Sequence, residues 1–136
     1  MILRNYLHPE KQIKIHDISV QGLAHVGDAV YELMIRTWLC ETGTSSAKNL
    51  HSKAVTFVSA RAQAVAVKKI MPVLNSDEIA IYKRGRNAHT NSVPKGSTHE
   101  EYHAATGMET LFGYLYLSGN SDRLNELFLL ILGSLD

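Results

Sequence analysis

The 136-residue chain carries one cysteine, three prolines and one tryptophan. A lone Cys40 excludes an internal disulfide, and without CxxC or paired Cys–His spacing neither structural zinc nor a redox motif is expected. That usage suits a reducing compartment. Cys40 lies among Trp38, Leu39 and Glu41 near an expected helix end, and reads as a packing residue rather than a nucleophile. No stretch approaches the run of about 18 uncharged apolar residues that a membrane-spanning helix needs. The first twenty residues lack the apolar core and small-residue cleavage site of a secretory signal. The expected location is the cytoplasm, with no membrane partner. Strand-like alternation with hairpin turns is missing too, as are repeats, low-complexity tracts and linkers. One domain over residues 1–136 is left, long enough for a core without covalent or metal staples.

What is present is helical periodicity, in a composition that is 45% hydrophobic. Leu23, Val26, Val30, Leu33 and Met34 recur at helical spacing in a long helix from residue 20 to about 41, stopped by Gly43. A shorter helix is expected over 45–59, with Ser45 or Ser46 as its cap. The alanine-rich stretch 60–70 is a strong helix former, ended by Pro72. Asn75 precedes Glu78 by three residues, the spacing of a capping box, and opens a helix toward Arg86. Residues 89–98 have the Asn, Pro, Gly and Ser density of a loop. Another helix spans about 99–117, and after a turn Ser121 is the expected cap of a last helix through Leu132. The fold class is all-α, with six or seven helices.

A net charge of +1 conceals segregation. Between residues 42 and 99 the only acids are Asp77 and Glu78, against Lys48, Lys53, Arg61, Lys68, Lys69, Lys83, Arg84, Arg86 and Lys95. The remaining segments are acidic on balance. An electropositive middle can approach a polyanion while carboxylates elsewhere hold metal ions. "YKRGRNAHTNSVPK" supplies Lys83, Arg84, Arg86 and Lys95 without one acid, and Asn87 adds an amide. Such side chains suit phosphates and 2′-hydroxyls across the minor groove of an A-form duplex. Gly85 would let the backbone turn or approach a phosphate. The plain alternative is a solvated helix end. The other lysines fit surface helices, with their stems lying along apolar surface.

Two carboxylates stand out. On a helical wheel Asp28 lies far from the apolar stripe, beside Gln21, His25 and Glu32. Ile35 and Leu39 share that side, which therefore needs a cover such as a second subunit. Glu109 is the only charge in "HAATGMETLFGYLYL", and Ala105 and Gly113, one turn away, allow another helix to come close. A buried carboxylate needs a positive partner, hydrogen bonds or a metal. Arg36 and Arg61 are candidate partners. Two carboxylates meeting from two helices would instead suit Mg²⁺, which keeps much of its water and needs few protein ligands. Periodicity does not bring them together. His25 is a candidate to orient water or to sit at an interface, and Glu32 is a spare carboxylate. His99 and His103, one turn apart, are a metal pair or a solvated helix end.

"LAHVGDAVYE" (23–32) resembles the "LEFLGDAVL" signature of the ribonuclease III catalytic domain, and "TGMETLFGYLYL" resembles its second signature, "DxFEALxGAxYL". "VSARAQA" (58–64), "KRGRNA" (83–88) with "PK" (94–95) after it, and the short last helix are similar to the short-form branch, Mini-ribonuclease III, which lacks the double-stranded RNA-binding module. The resemblance runs in order over about residues 20–132. It implies the all-α ribonuclease III catalytic fold and Mg²⁺-dependent hydrolysis of double-stranded RNA to 5′-phosphate and 3′-hydroxyl ends. It makes Asp28 and Glu109 the catalytic metal ligands, and Lys83, Arg84, Arg86, Asn87 and Lys95 the RNA contacts. It also implies a homodimer acting on the precursor of 23S ribosomal RNA in large-subunit particles, with ribosomal proteins as helpers. Two positions depart from full-length ribonuclease III. Ala24 stands for the glutamate four residues before the aspartate, and Thr106 for the aspartate three residues before the glutamate. The two changes reduce the number of direct ligands and leave the number of metal ions open. A non-catalytic RNA-binding or ribosome-assembly protein on the same fold is the alternative, and a helical protein-interaction module would explain the stripes but not the ordered motifs.

Overall fold

Short polar side chains set where the helices begin in the computed structural model, which describes residues 14–88 and 95–133. Ser19 accepts from the amide of Gly22 and opens α1 (Val20–Glu41). Ser46, of the two candidate serines, caps α2 (Ala47–Val58), and Ser59 caps α3 (Ala60–Ile70). Pro72 follows in a 3-10 turn, Met71–Val73, where its missing amide is no loss. The Asn75–Glu78 capping box opens α4 (Ser76–Arg86), with both bonds at 2.9 Å. A second box, Thr98–Glu101, opens α5 (His99–Leu117). For α6 (Ser121–Leu132) the expectation fails. Asn120 holds the cap position without a side-chain bond, and Ser121 is already helical. Most of the expected 89–98 loop lies outside the described residues; Lys95–Thr98 are the part within them.

Helix α5 is the hub, packed against α1, α3, α4 and α6. Ile35, Ile70, Met108, Leu111, Phe112 and Leu127 are fully enclosed around it. The Tyr31 ring meets Phe112 and Phe128 edge-on at 5.5 and 6.2 Å, while Trp38 meets Phe57 at 5.2 Å and ties α1 to α2. Two crossings are close because they are made by glycine. A Cβ on Gly27 would strike the carbonyl oxygen of Glu109, and one on Gly113 would strike that of Leu23, so α1 and α5 touch backbone to backbone. On the other side a Cβ on Gly85 would strike the Thr110 side chain, and one on Gly107 the ring of Tyr82. Gly85 is thus a packing residue of the α4–α5 crossing, not a loop hinge near a phosphate.

This crossing also redraws the expected face of α1. Its buried residues are Leu23, Gly27, Val30, Tyr31, Ile35 and Leu39. Leu33, expected in the stripe, is 62% exposed, whereas Ile35 and Leu39 belong to the chain's own core. The centre of contact is a glycine, which a stripe drawn from apolar side chains skips. Farther along, α1 leans on α2, so its buried arc turns around the helix toward Leu39. No second subunit is needed to cover that side. Cys40 faces solvent rather than packing, because Leu39 takes the inward position.

Candidate active site

Asp28 follows Gly27 on α1, and Glu109 is the residue whose carbonyl Gly27 touches on α5. Two side chains rooted at one backbone contact have little room to separate, and they share a cleft of about 400 Å³. Val20, Gln21, Ala24 and His25 of α1, Tyr102, His103 and Thr106 of α5, and Ala88 just past α4 line it with them. Asp28 is exposed and Glu109 half-buried. Burial pushes the Glu109 carboxyl up from its usual 4.5 to about 8. The Asp28 charge, and a hydrogen bond that the protonated Glu109 gives Asp28, push the same way; a bond from Gln63 opposes them.

No arginine relieves the pair among the described residues. Arg36 is engaged with Glu32 at 3.2 Å, and Arg61 makes no ion pair with Glu109. What Glu109 receives is the Gln63 amide, Nε2 donating to Oε2 at 3.5 Å. Glu32 is spent on Arg36 and lines a different groove, between α1 and α2, so it is not a spare ligand here. His25 lines the Asp28 cleft, as does His103, whose ring stacks on His99 at 6.2 Å between centroids.

The chemistry of this donor set can be tested against a metal. Among the described residues there is no group of three or more His, Cys, Asp or Glu able to hold an ion. A closed zinc site favours Cys and His ligands, whereas the two acids gathered at this crossing offer oxygen. Two carboxylates pressed together without a counter-ion, in an open cleft, do fit a hard divalent cation that keeps several waters and takes its last ligand from substrate. Ala24 and Thr106 line the same cleft, and their short side chains leave space for water where longer acids would have ligated.

A second cleft, of about 390 Å³, opens on the other side of Tyr102, Thr106 and Glu109, so Glu109 faces both. Arg61, Gln63 and Lys95 line it. Lys83, Arg84 and Arg86 are exposed in the last turn of α4, where positive charge also suits the helix C-terminus. Arg86 lies 5.9 Å above the Tyr82 ring and donates from Nε to Oδ1 of Asn87, the C-cap, at 3.2 Å. Of residues 83–88, Ala88 is the one that lines the Asp28–Glu109 cleft. Pro94 of the "PK" pair lies outside the described residues. Sequence reasoning had missed Gln63. Its signal was available, since Gln63 stands three, four and seven residues before Ala66, Val67 and Ile70, all on the buried face of α3.

Residues 21–120 match the Ribonuclease III domain family. The chain is 42% identical over 133 residues to the Mini-ribonuclease 3 of Clostridium tetani, covering 96% of this chain and 88% of that one. It is 44% identical over 104 residues to the Mini-ribonuclease 3 of Symbiobacterium thermophilum, covering 76% of this chain and 80% of that one. A crystal structure of a Fusobacterium nucleatum protein superposes with a TM-score of 0.79 at 30% identity, over 88% of this chain and 96% of that one.

Proposed function

The chain belongs to the Mini-ribonuclease III family, and from that premise we propose that it is a Mg²⁺-dependent endoribonuclease cutting double-stranded RNA. In this reading it acts as a homodimer in the cytoplasm, one site per strand, and leaves 5′-phosphate and 3′-hydroxyl ends. Its substrate is the 23S ribosomal RNA precursor in large-subunit particles, where ribosomal proteins assist. The observation that carries the reading is the Asp28–Glu109 pair, two acids at one backbone crossing with no ion pair to either among the described residues.

Asp28 and Glu109 would hold the metal. Mg²⁺, when bound, supplies a water of lowered pKa and offsets charge on the phosphate. The rest falls to the chain. Gly27 and Gly113 fix the two carboxylates by backbone contact. Burial and the neighbouring Asp28 charge favour the protonated Glu109 carboxyl, and a cation held there would favour the ionised form instead. Lys83, Arg84, Arg86 and Lys95 meet phosphates, and Asn87 offers its amide to a 2′-hydroxyl. Exposed Leu33, Leu129 and Leu130 offer apolar surface to a second copy.

One observation favours a second reading, a non-catalytic RNA-binding or assembly protein. Ala24 and Thr106 withhold two oxygen ligands from the cleft. Purified protein incubated with duplex RNA or precursor particles and Mg²⁺ separates the two. Cutting that a chelator abolishes supports the enzyme, and intact RNA on both substrates leaves the second reading. For the RNA surface, Arg84→Ala with Arg86→Ala should lower the slope of log affinity against log salt by about 1.8. An unchanged slope would move the contact elsewhere.

A further inference from the structure

Gln63 is 2% exposed, and its carboxamide binds on one side only. Nε2 donates to the carbonyl of Val58, the last residue of α2, at 2.9 Å, and to Glu109 Oε2 at 3.5 Å. Oε1 has no partner, and it is the one buried side-chain polar atom left so among the described residues. Turning the amide over would aim Oε1 at a carbonyl and a carboxylate, both acceptors, so chemistry fixes its orientation. A leucine would occupy the same place without stranding an acceptor, and packing therefore does not account for an amide here. What the amide adds is a rigid donor. Its backbone is held at the α2–α3 corner, where the Gln63 amide bonds the Ser59 carbonyl at 2.9 Å.

We propose that Gln63 is the positioning residue of the cation site: it holds Glu109 Oε2 from the α2–α3 side, so that the other carboxylate oxygen is presented toward Asp28. This rests on the reading of Asp28 and Glu109 as metal ligands and names a third residue on which their geometry depends. Asp28 repels an ionised Glu109 from the front; the glycine contacts fix where the Glu109 side chain starts, and the Gln63 donor behind it restrains where its carboxylate ends. Gln63 does not touch the ion or the RNA. Its effect is on how tightly the metal is held, not on how tightly RNA binds.

The test uses Mn²⁺ as a paramagnetic stand-in and the intact protein. Gln63→Leu should weaken Mn²⁺ binding, followed by electron paramagnetic resonance without RNA, by about tenfold, the usual cost of removing a group that orients a ligand. The Mg²⁺ concentration for half-maximal cutting should rise by a similar factor, with KM for RNA unchanged and kcat recovering at high Mg²⁺. Should the leucine variant fold poorly by circular dichroism, Gln63→Met, more flexible, takes its place. In the wild-type protein Mn²⁺ should also broaden the Gln63 side-chain amide resonance. Wild-type Mn²⁺ affinity in a folded Gln63 variant, or an unbroadened amide, overturns the Gln63 assignment while Asp28→Asn still abolishes binding. If wild type binds Mn²⁺ no better than Asp28→Asn, the cation site itself fails, and the role of Gln63 with it.

Discussion

Glu78 and Glu109 both lie on packed helices, and their surroundings treat them in opposite ways. At the α4–α6 corner, Arg123 grips Glu78 with two bonds, Nε to Oε2 at 2.8 Å and Nη2 to Oε1 at 2.9 Å, and the Asn75 amide adds a third at 2.9 Å. The Arg123 bonds hold that carboxyl below its usual value. At the α1–α5 crossing Glu109 meets another acid and one distant amide, and its carboxyl rises to about 8. A structural carboxylate is completed by its own chain. Glu109 has no ion pair among the described residues, and an acid perturbed in that way is a candidate functional group. The two crossings of α5 repeat the contrast. The α4 side closes with Tyr82 and Thr110, whose hydroxyl bonds the Thr106 carbonyl at 2.7 Å; the α1 side closes with bare backbone and leaves two acids at its edge.

The widest separation between these regions should come from charge removal at the crossing. Asp28→Asn is expected to lower Mg²⁺-dependent cutting on the order of 1000-fold in a gel assay, with circular dichroism unchanged. Arg123→Ala should leave metal-dependent cutting near wild type at permissive temperature. Gly27→Ala comes next. Its Cβ meets immovable backbone, so chemical denaturation should show a loss of about 3 kcal/mol, with cutting falling as the carboxylates part. Gly85→Ala should cost less, since Thr110 is a side chain and can shift. Equal losses would remove the distinction between the crossings. Arg123→Ala should itself cost about 2 kcal/mol in the same experiment, because it strands Glu78 in a place where that side chain is 4% exposed.

A separate effect is in pH. A carboxyl raised from 4.5 to about 8 keeps its proton in the folded chain after the unfolded chain has lost it. Metal-free protein should therefore lose stability as pH climbs from about 4.5 to about 8, and Glu109→Gln should flatten that slope in thermal scans. Glu78 has the reverse sign. Its contribution is present above the ordinary 4.5 and fades as pH falls through its lowered value, so Arg123→Ala should flatten the acid limb instead. Identical pH profiles in the two variants would mean that the carboxylates are not differently placed.

Much of this was legible before any coordinates. Caps and breakers are local, so Ser46, Asn75 with Glu78, and Pro72 announced their helices within a residue or so. The two signatures named Asp28 and Glu109, and the basic turn around Arg84 could be read from charge alone. Contacts made by an absent side chain were not legible. Gly27 carries no hydrophobicity, yet it centres the α1 face; overlooking it misplaced Leu33, Ile35 and Leu39, and with them the argument for a subunit cover. Gly85 was misread for the same reason. Ser121 failed as a cap because the preceding Asn120 already occupies that position. The place of Gln63 on the buried face of α3 is legible from its spacing to Ala66, Val67 and Ile70, but its contact with Glu109 follows only once α5 is known to pass beside it.

Anomalous diffraction from crystals soaked in Mn²⁺, which shares the oxygen preference of Mg²⁺, measures the shared-ion claim most directly. One peak per chain is expected between Asp28 and Glu109, within about 2.2 Å of an oxygen from each. A peak elsewhere, or well-ordered carboxylates with no ion between them at saturating Mn²⁺, would contradict it.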